Sequence, residues 1–483
     1  MTDTTTFIIN LFVLLTAAVL AGELANRLGQ VALVGQLLAG VLLGPTLLGP
    51  YIGLSRLGSE LTAIQFLATV FILFMAGLDV LPEQIYRMGF PTAAMGVAVF
   101  VVPFVGISAL AEVLMPRTGL MPLFLGLTLS ITALPVMGIM LVEFGLLKTR
   151  MGNLLINTAL VNELAAVSVF AVLLRLQSGV GGGAVAVAIA ALSVGVFVGA
   201  MLSIHMFLKS MASADWWESA RSRLLASWRS REAGFALLMI GMIGASLFSQ
   251  FMGLTFVVGA FYAGIIVTQE TAGVEAHRLV SGVFGAMTWG FFIPLFFAFV
   301  GIEMDLRQIA APWEIAIFAM LLAAAVLTKV GTGYSMARFN GWSTVDSLAL
   351  GNLVNSRGAV ELAMAVILLQ DGIFSSQLFT LVAAVGLVTT ILAPIGASYA
   401  WRSQATGEKE LQGRLERLRA ERGASGRNDL YPPTLRFRIL QESEGRAPEE
   451  AGAPPGGADR SGPPVPESPA PATPPPLPRR PRS

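Results

Sequence analysis

The chain has 483 residues, of which 55% are hydrophobic and 13% charged, with a formal net charge of +1 and no cysteine. Soluble domains carry roughly 25% charged residues, so a soluble enzyme, a disordered regulator and a basic nucleic-acid binder are excluded. The absence of thiols and the presence of only two histidines, His205 and His277, exclude a disulfide framework, a thiolate zinc site and a histidine metal cage.

What remains is an all-α polytopic membrane protein. A hydrocarbon core of roughly 30 Å needs about 20 apolar residues per helix. Candidate spans begin near Phe7, Val31, Leu61, Gly89, Leu120, Gly152, Gly183, Glu232, Met252, Leu279, Pro312, Ser343 and Ser376, about 13 transmembrane helices in all. The first run, Phe7 to Ala25, is long enough to span, and the preceding MTDTTT carries no Lys or Arg; a retained helix is expected rather than a cleaved signal. The division between the eighth and ninth spans rests on Gln250 to Gly253 alone.

Composition changes near residue 400. Of the 31 Lys and Arg residues 14 lie from Arg402 onward, and of the 26 prolines 13 lie from Pro448 onward. Residues 1–400 are read as the transmembrane domain and 401–483 as a cytoplasmic, Pro/Arg/Glu-rich tail that cannot bury enough apolar area to order itself. A short charged helix is expected over Glu408 to Glu421. One set of alternate loops holds Arg27, Arg87, Lys148, Arg150, Lys209, Arg221, Arg223, Arg229, Arg231, Arg278 and Arg338; the other holds only Arg56, Arg117, Arg175 and Arg307. The richer set is expected in the cytoplasm, placing the N-terminus outside a cell (inner) membrane and the tail inside. Around Asp215 to Arg231, Trp217, Ala220, Leu224 and Trp228 recur at helical spacing among arginines, as in an amphipathic helix on the membrane surface.

A charge at the centre of a membrane helix costs roughly 2.5–3.5 kcal/mol on insertion scales, so polar residues inside spans are site candidates. Glu163 follows Asn162 in NTALVNELAAVSVF, and no basic residue on that span is placed to pair with it. Lys329 sits in AAAVLTKVGTGY; its plainer role is to pin a helix by bonding a carbonyl. Arg357 and Glu361 sit in GNLVNSRGAVELAM. Four apart on one helix, they would share a face and neutralise each other. Glu23, Asp79, Glu112, Glu303 and Asp346 lie nearer helix ends, where side chains reach water. Two spans look broken. Pro135 stands mid-span in SITALPVMG, and the NSRG tract, with Asn355 and Gly358, interrupts the twelfth. Seven spans apart, they run in opposite directions. Inverted repeats with two crossed discontinuous helices are the pattern of a secondary transporter with its site near the midplane.

At these residues the chain resembles the monovalent cation:proton antiporters of the sodium/hydrogen exchanger fold. The resemblance covers roughly Leu11 to Pro394. It rests on GQLLAGVLLGPTLLG (with Gln36 where a Glu is usual), LFMAGLDV, SITALPVMGIMLVEFGLLKTRMG, FFIPLFFAFVGIEMDL and NSRGAVEL, in that order. It implies that Asn162 and Glu163 form the ion site, with Glu in place of the usual Asp and Asn in place of a second carboxylate. It also implies that Lys329 occupies the place of a lysine whose usual acidic partner is missing here, and that the protein is a homodimer.

A carboxylate binds a proton or a small cation, not both at full occupancy, and that competition suffices for exchange of Na+ or K+ against H+. Thr132, carbonyls freed at the Pro135 break and Asn162 are expected to complete an oxygen cage. Arg357 offsets carbonyl dipoles at a half-helix end, with Glu361 as its counter-charge. A close ammonium opposes protonation of a carboxylate, so Lys329 is expected out of contact with Glu163. Alternating access in one bundle is expected; with one carboxylate the simplest stoichiometry is one cation for one proton and electroneutral, and release of a proton by Lys329 in each cycle would make it two protons per cation. No cofactor, resident metal or nucleic acid is expected; a partner of the tail is left open. Competing readings are a potassium efflux channel or transporter on the same scaffold, a sodium-coupled symporter of an organic anion, and a non-transporting membrane sensor.

Overall fold

A chain this apolar, placed in lipid, must satisfy its backbone internally. In the computed structural model every regular element among the described residues is helical. Those residues are 3–52, 58–80, 88–115, 119–178, 183–212, 233–267 and 282–404, all within one compact unit, Met1–Leu440. The loop around Asp215 to Arg231, the tail beyond residue 404 and Arg56, Arg87, Arg117 and Arg278 lie outside them.

The helices of eight residues or more are α1 (Asp3–Arg27), α2 (Ala32–Leu43), α3 (Ser59–Asp79), α4 (Phe90–Leu114), α5 (Met121–Thr128), α6 (Leu134–Glu143), α7 (Arg150–Gln177), α8 (Gly183–Ala212), α9 (Ala233–Phe251), α10 (Phe256–Ile266), α11 (Ile293–Glu303), α12 (Pro312–Phe339), α13 (Thr344–Leu353), α14 (Ala359–Gln370) and α15 (Ser376–Gln404). A wide π-type turn, Thr288–Phe292, leads into α11, and a 3-10 turn, Leu306–Ile309, follows it. Among the described residues eight helices are long and apolar enough to cross a membrane unaided.

The two broken spans are confirmed as interrupted helices, with one change of detail. The first break is residues 129–133, upstream of Pro135, which lies in the opening turn of α6. A proline is tolerated there because the N–H it lacks has no intrahelical partner anyway. The second break is residues 354–358 and contains Asn355, Arg357 and Gly358.

Two groups of helices emerge from the packing. In one, α1 packs on α2, α2 on α11, α3 on α10, and α9 on α10. In the other, α4 packs on α5, α7 and α12, α12 on α13, and α13 on α15. Each group takes helices from both halves of the chain, and α8 touches α7 and α10.

Glycines reveal why the first group is symmetrical. Added Cβ atoms would overlap backbone at Gly35 (Ala21 carbonyl), Gly40 (Ala298 carbonyl) and Gly77 (Phe261 carbonyl). They would do the same at Gly259 (Ala245 carbonyl), Gly264 (Phe74 carbonyl) and Gly301 (Leu37 carbonyl). Every member of the second set, glycine and target alike, is its counterpart in the first displaced along the chain by a constant spacing of about 224 residues. Small residues let membrane helices approach at backbone distance, and here they do so twice in the same way. The turns obey the same rule: Gly29 and Gly253 both have φ 74°, a left-handed conformation that a side chain would strain.

Gly264→Ala and Gly40→Ala are expected to destabilise the protein by about 1–3 kcal/mol each, since rigid backbone must move to admit the methyl. Gly195→Ala, where an added Cβ meets nothing within 4 Å, is expected to leave the melting temperature in detergent unchanged. Equal melting of all three variants would refute the backbone-contact account.

Candidate functional site

The breaks at 129–133 and 354–358 cross and bond to each other. The Ala133 N–H donates to the Ser356 carbonyl at 3.2 Å, and the Thr132 hydroxyl donates to the Val354 carbonyl at 2.8 Å. An added Cβ at Gly358 would sit 2.8 Å from the Ala133 Cβ and 2.7 Å from Val136 Cγ2, so the absence of a side chain there admits the crossing.

The middle of α7 supplies the groups that hold the first break. Asn162 accepts from the Thr132 N–H at 2.8 Å and donates to the Ser130 carbonyl at 3.2 Å. Glu163 Oε1 accepts from the Leu134 N–H at 2.9 Å. Leu134 is the first residue of α6, and its N–H has no partner within the helix. The carboxylate therefore caps α6 from another helix, at the positive end of its dipole. Both side chains are fully buried. Glu163 Oε2 is also buried and has no hydrogen-bond partner among the described residues.

Charges on other helices complete the arrangement. Lys329, fully buried on α12, donates to Thr132 Oγ1 at 2.5 Å and to the Val99 carbonyl at 3.3 Å. As expected, its ammonium is not paired with Glu163. Arg357 donates through Nη2 to the Leu129 carbonyl at 2.6 Å and through Nη1 to the Thr128 carbonyl at 3.4 Å. Those carbonyls are the negative end of α5, so a cation from one break answers the helix end at the other. Arg357 Nη1 also meets Glu361 Oε1 at 3.1 Å.

Two expectations are corrected. Arg357 and Glu361 do not share a helix: Arg357 lies in the break and Glu361 in the first turn of α14. They meet because the chain turns into the helix between them. Among the oxygens of the expected cage, Asn162 Oδ1, Thr132 Oγ1 and the Ser130 and Leu129 carbonyls take part in hydrogen bonds of the crossing, and Glu163 Oε2 does not. Asp79 does not reach water: it ends α3 and is 1% exposed.

Sequence reasoning missed Thr390 on α15. Its hydroxyl accepts from the Arg357 N–H at 3.3 Å and lies 3.1 Å from the Arg357 carbonyl and 2.8 Å from the Gly386 carbonyl. A lone threonine in an apolar span carries no sequence signal for such a contact. Asp346 and Glu23 are local: Asp346 meets Ser343 and Trp401, and Glu23 pairs with Arg27 at 3.1 Å.

The arrangement presents a buried carboxylate oxygen of Glu163 without a hydrogen-bond partner among the described residues at the N-terminus of a half-helix; Asn355 Oδ1, Ser356 Oγ, Arg357 Nε and Glu361 Oε2 at the second break are likewise buried without one. Chemically it accepts a proton or one small cation.

Comparison with known proteins adds four findings. The sequence model of the transmembrane sodium/hydrogen exchanger family matches residues 12–402. The Na(+)/H(+)-K(+) antiporter GerN of Bacillus cereus is 28% identical over 391 residues, covering 80% of this chain and 94% of that protein. A Na(+)/H(+) antiporter of Enterococcus hirae is 26% identical over 398 residues, covering 81% and 97%. The solved sodium proton antiporter MjNhaP1 of Methanocaldococcus jannaschii superposes with a TM-score of 0.61 at 14% identity, covering 81% of this chain and 96% of that one; at that identity the likeness speaks for the fold.

Arg357→Leu is expected to cost about 3–5 kcal/mol, because it strands a buried carboxylate and frees two carbonyls. Replacing Glu361 by Leu in that background is expected to restore part of the loss, not all. Full restoration in thermal unfolding would show that the carbonyl contacts contribute nothing.

Proposed function

The chain belongs to the sodium/hydrogen exchanger family, and we propose that it exchanges a monovalent cation, Na+ or K+, for H+ across the cell membrane by alternating access. The observation that carries the reading is Glu163. One oxygen is fixed by the Leu134 N–H and the other is buried without a partner. A bare carboxylate is costly to hold there, and a proton or a cation each relieves that cost. The two cannot do so together, so release of one accompanies uptake of the other.

The remaining polar groups prepare the site. Asn162 keeps the first break extended, so that the α6 N-terminus points at Glu163. Lys329 holds Thr132 and places positive charge near the crossing, but its contact with a hydroxyl rather than an acid leaves Glu163 free to change its occupant. The bundle of α4 to α7 and α12 to α15 carries this unit as a body, and the bundle of α1 to α3 and α9 to α11 is the frame it moves against. With Glu163 loaded in both directions and Asn162 beside it uncharged, the simplest stoichiometry is one for one, which moves no net charge. The poise between ions fits the Bacillus cereus relative, an Na(+)/H(+)-K(+) antiporter. The cytoplasmic side is that of the arginine-rich loops, and the working unit is a homodimer.

Purified protein in vesicles with an acidic lumen and a pH dye tests this. Addition of Na+ or K+, but not choline, is expected to collapse the gradient, at a rate independent of membrane voltage. Glu163→Gln, which keeps the shape and loses the ionisable group, is expected to reduce the response to that of protein-free vesicles. Absence of any cation response in folded wild-type protein would refute exchange, and a voltage-dependent rate would refute the one-for-one stoichiometry.

A further inference from the structure

The two bundles are joined by side-chain hydrogen bonds that gather on one side of Glu163. Gln370, the last residue of α14, donates to Gln65 in the first third of α3 at 3.1 Å. The Asp305 N–H, just past α11, donates to Thr380 on α15 at 3.1 Å. Gln308 donates to Ser376 at 3.2 Å, and Gln377 donates to the Gln308 carbonyl at 3.3 Å. Ser168, five residues beyond Glu163 on α7, meets the Tyr262 hydroxyl of α10 at 3.0 Å.

Helix direction puts these contacts at one face. α14 ends and α15 begins there, as do the end of α11 and the start of α3. Because the second repeat is inverted, α7 also ends there. The seam is graded in depth. Gln65 and Thr380 are 1% and 0% exposed, and the Gln308–Ser376 pair is exposed at the rim. At the rim Asp305 accepts the Arg307 guanidinium at 2.8 Å, which fixes the loop carrying both Asp305 and Gln308 and holds the Asp305 carboxyl below the usual carboxylate range.

Three of the four pairs set a buried residue (Gln65, Thr380 or Tyr262) against a less buried partner across the interface, and such pairs act as a latch. They are satisfied in one register of the two bundles, and displacement leaves each donor and acceptor unmatched until water reaches it. We propose that the seam formed by Gln65–Gln370, Asp305–Thr380, Gln308–Ser376 and Ser168–Tyr262 is the gate that closes one mouth of the pathway, and that it opens in every transport cycle. This rests on the exchange reading above. The structure is the state closed at the face where α15 begins, opposite the face where α15 ends.

The chain contains no cysteine, so an engineered pair reacts alone. Gln308→Cys with Ser376→Cys, joined by a short reducible bis-thiosulfonate, is expected to lose exchange and to regain it on reduction. Each single variant, treated alike, is expected to stay active. Complete cross-linking by mass spectrometry with exchange still at the reduced rate would overturn the gate while leaving the exchange reading intact. A second measurement needs no transport. Thr380→Cys in detergent is expected to react with a water-soluble maleimide about fivefold faster when combined with Gln65→Leu and Gln370→Leu, which remove the Gln65–Gln370 bond of the latch. An unchanged labelling rate would overturn the gate, and this result stands even if no cation drives exchange.

Discussion

Backbone N–H and C=O groups at the middle of a membrane find no partner in lipid. Two interrupted helices expose such groups at residues 129–133 and 354–358, and the rest of the structure is arranged around satisfying them. Part of the solution is mutual, through Ala133 to Ser356 and Thr132 to Val354. Part comes from charges brought by neighbours: Arg357 to the end of α5, Glu163 to the start of α6, and Lys329 to Thr132. Each of these residues would be expensive alone in the bilayer. Here every one of them answers a group that the breaks left exposed.

That arrangement separates frame from function. Asn162, Thr132, Lys329 and Arg357 are committed to hydrogen bonds of the crossing, so they hold geometry more than they coordinate an ion. Glu163 is divided between the two roles, one oxygen on Leu134 and the other open. In the exchange proposed above, Glu163 changes its occupant at the open oxygen while its contact with Leu134 and the bonds of the crossing stay in place. The same reasoning bears on Glu361. It is as deeply buried as Glu163 but is paired with Arg357, and its first duty is to balance that charge.

The bundles give the crossing something to move against. In the first bundle, backbone touches backbone at six glycines related in pairs by the repeat. Such contacts make a stiff frame, because no side chain is there to flex. Between the bundles an apolar core is continuous, and the side-chain hydrogen bonds across it gather at one face.

Much of this was legible in the sequence. Apolar runs gave the spans, because lipid leaves a chain little choice but helix. Glu163, Lys329 and Arg357 stood out because charge at membrane depth is too costly to be incidental. Pro135 and the NSRG tract marked the breaks, although Pro135 marks where helix resumes rather than where it stops. The repeat was written in the glycines, in the common spacing of Gly35, Gly40 and Gly77 from Gly259, Gly264 and Gly301, but its meaning needed the partner backbones. Only the tertiary structure decided which oxygen of Glu163 is free, that Arg357 serves α5 rather than a helix shared with Glu361, that Asp79 is buried, and that Thr390, Gln65 and Tyr262 have work to do. The physical reason is the same in each case. A sequence shows the cost of placing a polar group in the membrane, whereas the partner that meets that cost lies on another helix, often more than a hundred residues away.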